Sequence, residues 1–148
     1  MRESNRNKLE KGVAILHRLH IKSEDIMLTG SVALDLVGVL PESRESGDVD
    51  FIIKVDEQDW RCMKLLEAIV NDGKENLYPG GNRCLIFKFD DLTLNVWKKT
   101  PEFDWSDIKD NVTGVYVSKV DNILKVKKSY GRPKDFKDIN DICKNILA

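Results

Sequence analysis

The feature that most limits what this chain can fold into is Gly47-Asp48-Val49-Asp50-Phe51-Ile52-Ile53, where two carboxylates run straight into an apolar strand. Side chains of a strand alternate between faces, so Asp48 and Asp50 share one face while Val49 and Phe51 share the other. Charges adjoining a strand this apolar are costly unless they are paired or hold a cation. Upstream, Ile26-Met27-Leu28 has strand character, Thr29-Gly30-Ser31 breaks it, and Val32-Ala33-Leu34-Asp35-Leu36-Val37 opens a helix. Gly30 lets a ligand approach the backbone, and Ser31 offers a hydroxyl beside the N–H groups of the helix start, which together suit an anion. Taken singly, a Gly-Ser after a strand is a turn and helix cap, and Asp-x-Asp is a solvated strand edge. Joined through the polar loop from Pro41 to Gly47, they read as a phosphate seat followed by a metal seat. Magnesium takes carboxylate and phosphate oxygens together, and a pair of such ions can clamp both oxygens of an in-line phosphoryl displacement.

On these residues the chain resembles the nucleotidyltransferase superfamily typified by DNA polymerase beta and the minimal nucleotidyltransferases. Gly30 and Ser31 match the family's Gly-Ser, Asp48 and Asp50 match its Asp-x-Asp, and Arg44-Glu45-Ser46-Gly47 looks like the Arg-x-Ser-x stretch before the acidic pair. Near the C-terminus, Lys127, Gly131-Arg132-Pro133-Lys134-Asp135 and Asp138-Ile139 resemble a Lys…Arg-x-Lys-Asp…Asp-Leu segment. That segment occurs in relatives that include the nucleotidyltransferase-type toxins of abortive-infection systems. The resemblance covers most of the chain and implies one α/β (α+β) domain over residues 1–148, a mixed sheet flanked by helices. Residues 1–112 would form the core that carries both motifs, and residues 113–148 a short strand plus C-terminal helices. It further implies a nucleoside triphosphate substrate with Mg2+ or Mn2+, seated on Gly30, Ser31, Arg44 and Lys127. Asp48 and Asp50 would be the catalytic metal ligands. The acceptor would be a hydroxyl of a protein, an RNA or a small molecule, recognised jointly with a partner protein, and a toxin or antitoxin role falls within the same reading.

The departure from the family pattern lies on the strand Leu92-Thr93-Leu94-Asn95-Val96-Trp97, whose alternation puts Thr93, Asn95 and Trp97 on one face. Asn95 stands at the catalytic position where the family places a third carboxylate. An Asn can ligate a metal through its carbonyl oxygen, but it brings no charge and cannot act as a base. Asp90 and Asp91 read as hairpin punctuation before that strand. Two functions are therefore expected from the sequence: a nucleotidyltransferase, or a catalytically degenerate relative serving as a binding, regulatory or assembly component.

Composition narrows the setting. With 24 basic against 25 acidic residues, the chain is neither a nucleic-acid coat nor a membrane-surface protein, so an RNA acceptor needs a local patch. Lys98-Lys99 and the group Lys125, Lys127, Lys128, Arg132 and Lys134 are the candidates, against the plainer reading of solvated helix faces. No apolar leader follows the N-terminal charges and no segment approaches membrane-spanning length, which predicts a cytoplasmic protein without a membrane partner. Cys62, Cys84 and Cys143 are dispersed among apolar neighbours and predict reduced core residues, while His17 and His20 read as surface or packing side chains.

Periodicity supplies the remaining elements. Leu9, Val13, Leu16 and Leu19 mark a first amphipathic helix, closed by Ser23 or Asp25. Asp56 caps a helix to about Asn71 with Trp60, Met63, Leu66 or Leu65, and Ile69 or Val70 facing the core. Tyr78-Pro79-Gly80-Gly81-Asn82 is a loop before a hairpin of Cys84–Phe89 with Leu92–Trp97. Val115-Tyr116-Val117 makes a short strand before two helices, the last begun by Pro133 and carrying Phe136, Ile139, Cys143 and Ile146 as its core stripe.

Overall fold

A five-stranded mixed sheet carries the molecule, as seen in a computed structural model that describes residues 1–41, 47–71 and 84–147. The strands are β1 (Ile26–Thr29), β2 (Val49–Ile53), β3 (Cys84–Lys88), β4 (Thr93–Lys98) and β5 (Tyr116–Val117), and the helices are α1 (Glu3–Arg18), α2 (Gly30–Leu36), α3 (Glu57–Val70), α4 (Val120–Tyr130) and α5 (Pro133–Leu147). The order across the sheet is β3-β4-β2-β1-β5. β2 lies antiparallel to β1 and parallel to β4, β1 pairs in parallel with β5, and β3 and β4 form the expected antiparallel hairpin. The expected α/β (α+β) class with a mixed sheet and flanking helices is thus the class observed.

Alternation along the strands divides the interior. Leu28, Val49, Phe51, Ile53, Leu85, Phe87, Leu94 and Val96 join the main core with Leu9, Val13 and Leu16 of α1 and with Trp60 and Met63 of α3. Met27, Ile52 and Trp97 point to the other face and meet Phe103, Val126 and Tyr130. Gly12 lets α1 settle closely on β2, because a Cβ there would stand 2.6 Å from the Phe51 ring. α1 ends where His20 takes a left-handed conformation with φ 64°. His17 bonds Ser23 at 2.8 Å, in line with a surface and packing role for both histidines.

Two helices turn a different face inward than their apolar residues suggest. On α3 the Asp56 cap is present, accepting from the Asp59 N–H at 2.7 Å, and Trp60 and Met63 are buried. Of the alternatives Ile69 or Val70, Val70 packs half-buried on the core, whereas Leu65 and Ile69 are 69% and 73% exposed and Leu66 is also exposed. Their place is taken by Glu67, which accepts from the Ile86 N–H at 2.6 Å, while Asn71 donates to the Ile86 carbonyl at 2.6 Å and accepts from the Lys88 N–H at 3.1 Å. β3 is an edge strand, and these side chains satisfy backbone groups that it cannot offer to a neighbour. On α5 the stripe Phe136, Ile139, Cys143, Ile146 does not form the core face: Phe136 and Ile146 are exposed, and Asp135 and Ile142 are buried. Gly131, left-handed at φ 62°, and Pro133 set the turn between α4 and α5, and ion pairs of Asp135 and Asp138 then fix which side looks inward. The cysteines are free, but none is a buried core residue: Cys62 is exposed, and Cys84 and Cys143 are half-buried.

Candidate functional site

β1 delivers the first piece of the site. Thr29 pairs with Asp50 across the antiparallel β1–β2 ladder, so the turn at Gly30 sits directly over that carboxylate. Gly30 has φ 70°, a left-handed conformation that disfavours a side chain, and a Cβ there would stand 2.5 Å from Asp50 Oδ2. Glycine is thus demanded twice, by the backbone and by the close approach of a charged oxygen. Ser31 follows at the cleft, on a helix of seven residues.

β2 and β4 bring the polar core of the site together. Their parallel register makes Asp50 and Asn95 direct partners. The Asn95 amide Nδ2 donates to Asp50 Oδ1 at 2.9 Å and to Asp48 Oδ2 at 3.1 Å, so one neutral side chain joins the two carboxylates. Asn95 is buried, and its Oδ1 finds no hydrogen-bond partner. Asp50 is pushed up to about 6, chiefly by burial and further by the neighbouring Asp48 charge, against the opposing pull of Asn95, Lys127 and a hydrogen bond from Trp97.

The C-terminal helices close the cleft over this center. Its volume is about 280 Å³, and its walls include Ser31, Asp48, Asp50 and Asn95 on one side and Lys127, Arg132, Lys134 and Asp138 on the other. Lys127 pairs with Asp138 at 3.2 Å with both side chains largely buried. Arg132 donates through Nε to Asp135 Oδ2 at 2.6 Å; burial would raise the Asp135 carboxyl, but this bond and the Arg132 charge hold it below its ordinary value. Trp97, Phe103 and Tyr130 supply a ring wall, with Trp97 6.0 Å from Tyr130 and 6.4 Å from Phe103 between centroids.

Of the residues singled out in the sequence, Gly30, Ser31, Asp48, Asp50, Asn95 and Lys127 all line this one cleft. Arg44 lies outside the described residues, as does the loop Tyr78–Asn82. The basic group divides: Lys127, Arg132 and Lys134 face the cleft, whereas Lys125 and Lys128 are exposed and do not line it. Lys98 donates to the Val55 carbonyl at 3.1 Å and also lies elsewhere. Sequence reasoning did not find the ring wall, because Trp97, Phe103 and Tyr130 belong to separate segments that carry no shared motif.

The chemistry of the donor set suits a hard cation. Asp48 and Asp50 supply anionic oxygens, and the raised Asp50 value reflects negative charge held at a cost that a cation would relieve. Among the described residues no group of three or more His, Cys, Asp or Glu side chains gathers for a metal. Among the described residues, the Asn95 carbonyl, together with phosphate and water, would be available to complete the shell of an ion at this pair. Among the described residues no helix is long and apolar enough to cross a membrane. Compared with protein-family models, curated proteins and solved structures, the chain matches none.

Proposed function

We propose that the cleft binds a nucleoside triphosphate with Mg2+ or Mn2+, and that the chain transfers the nucleotidyl group to a hydroxyl acceptor, as the nucleotidyltransferase resemblance implies. The observation that carries this reading is the convergence of Ser31, the Asp48–Asp50 pair and Lys127 on one cleft from three distant segments. Asp48 and Asp50 would hold the ion, which supplies charge neutralisation at the phosphates. Ser31 and Lys127 would bind phosphate oxygens, with Arg132 and Lys134 adding positive charge at the opposite wall. The ring wall of Trp97, Phe103 and Tyr130 offers an apolar face for the base. In the transfer, the acceptor oxygen bonds to the α-phosphorus, the bond from that phosphorus to the bridging oxygen breaks, and pyrophosphate leaves with the electron pair. Asn95 cannot take the hydroxyl proton, which the acceptor releases to solvent as its oxygen bonds to phosphorus. The acceptor is a protein, RNA or small-molecule hydroxyl.

One observation favours a second reading, a catalytically degenerate chain that binds nucleotide as a regulatory or assembly component. The neutral Asn95 amide stands where a third charge would position an acceptor, and it is bonded to both carboxylates. Labelled triphosphates incubated with Mg2+ or Mn2+ and candidate acceptors separate the two. Transfer by the wild type that disappears in Asp48→Ala/Asp50→Ala supports the enzyme. Transfer seen with Asn95→Asp but not with the wild type supports the degenerate reading.

A further inference from the structure

Asn95 holds two unusual positions at once. Its Nδ2 spends both protons on the two carboxylates, and its Oδ1 is buried without a partner. A buried unsatisfied acceptor is costly, and it is offset here by the donor end's two bonds to Asp48 and Asp50. The two ends of a side-chain amide have nearly the same size, and a half-turn about its last torsion exchanges them.

The distances make that half-turn meaningful. In octahedral magnesium coordination the bonds are about 2.1 Å, so adjacent ligand oxygens stand about 2.9–3.0 Å apart. The terminal Asn95 atom stands 2.9 Å from Asp50 Oδ1 and 3.1 Å from Asp48 Oδ2. After the half-turn, an oxygen would occupy that point, at spacings suited to adjacent ligands of one ion. Without a cation the exchanged amide would set its carbonyl oxygen against two carboxylates and lose both hydrogen bonds. The cation reverses the preference.

We propose that Asn95 is an ion-linked amide clamp: its NH2 bridges Asp48 and Asp50 when no divalent ion is present, and its carbonyl oxygen turns in as a third ligand when one binds. The inference rests on the proposed ion seat at Asp48 and Asp50 and adds to it a neutral group that takes the cation's place in the ion-free protein. Such a clamp keeps two adjacent carboxylates ordered without metal, and it lowers ion affinity by the cost of breaking its bonds.

The test uses the full chain, 15N-labelled and stripped with EDTA, with the Asn95 side-chain amide assigned by its loss in Asn95→Asp. In the ion-free protein both amide protons are expected to be protected from solvent exchange. Saturating Mg2+ is expected to shift both resonances, reflecting release from the carboxylates into the buried position that Oδ1 holds in the ion-free protein. In parallel, Mn2+ affinity read by electron paramagnetic resonance is expected to fall about tenfold in Asn95→Ala and to rise in Asn95→Asp. If Mn2+ broadens resonances around Asp48 and Asp50 while Mg2+ leaves the Asn95 amide unmoved, the clamp is overturned and the ion seat stands. If Mn2+ broadens nothing at the cleft, both are overturned. The amide readout comes from the wild type, so it stands even if Asn95→Ala fails to fold.

Discussion

Asn95 and Asp50 are register partners on parallel strands, and the 2.9 Å hydrogen bond between them ties a neutral amide to a carboxylate whose charge is disfavoured by burial. The arrangement explains how an acidic pair survives on an otherwise apolar central strand. The amide satisfies one oxygen of each carboxylate, and Trp97 adds a hydrogen bond to Asp50.

Gly30→Ala should be strongly disruptive. A side chain at φ 70° is strained, and the added carbon would meet Asp50 Oδ2 at 2.5 Å. A loss of roughly 2–3 kcal/mol in urea unfolding is expected, together with loss of triphosphate binding. Stability within about 0.5 kcal/mol of wild type would show that the close approach is not a constraint.

Lys127 and Asp138 should act on binding with opposite signs. Lys127 is shared between the cleft and Asp138 at 3.2 Å. Removing its charge in Lys127→Met is expected to weaken triphosphate affinity about tenfold to a hundredfold, the size of a charge-assisted bond to phosphate. Asp138→Asn removes the competing anion and should tighten binding. Isothermal titration at two salt concentrations checks both, with a shallower salt dependence for Lys127→Met.

On α3 the polar residues should matter more than the apolar ones. Glu67→Ala leaves the Ile86 N–H of the edge strand unpaired and should cost about 1–3 kcal/mol in denaturant unfolding. Leu65→Ser and Ile69→Ser should each stay within about 0.5 kcal/mol of wild type, since both side chains are mostly exposed. The reverse ranking would place the helix with its apolar face inward.

Acid should destabilise the fold through Asp110, Asp35 and Asp135. Burial would raise all three, but Arg6 and Thr113 at Asp110, Asn5 and Arg2 at Asp35, and Arg132 at Asp135 hold them below their ordinary values. The unfolded chain then binds protons first, so this stability is present above the ordinary carboxylate range and is lost as pH falls through the folded values. Arg6→Met should cost roughly 1–3 kcal/mol at pH 7, with the gap closing toward pH 3. Asp50 has the opposite sign: raised to about 6, it subtracts stability as pH climbs from its ordinary value to that point. In EDTA, Asp50→Asn should remove that decline.

Much of this site was legible in the sequence because its parts obey short-range rules. The break at Gly30, the alternation of Asp48 and Asp50, and the strand phase of Asn95 each follow from local geometry, and sheet register then joins them. The faces of α3 and α5 were not legible. Period alone ranks sides by apolarity, whereas Glu67 and Asn71 were drawn inward by the unpaired edge of β3, and Asp135 and Asp138 by Arg132 and Lys127. Apart from the local Arg132–Asp135 pair, three residues apart, these partners lie on other elements. The ring wall escaped for the same reason, since Trp97, Phe103 and Tyr130 meet through the packing of α4 on the sheet.

The most direct measurement of the central claim is calorimetric titration of a non-hydrolysable nucleoside triphosphate into the full chain at millimolar Mg2+, repeated in EDTA and with Asp48→Ala/Asp50→Ala. The account predicts saturable binding to the wild type that weakens sharply in EDTA and in the double variant. Absence of binding by any nucleoside triphosphate at millimolar Mg2+, with the wild type folded, would contradict it.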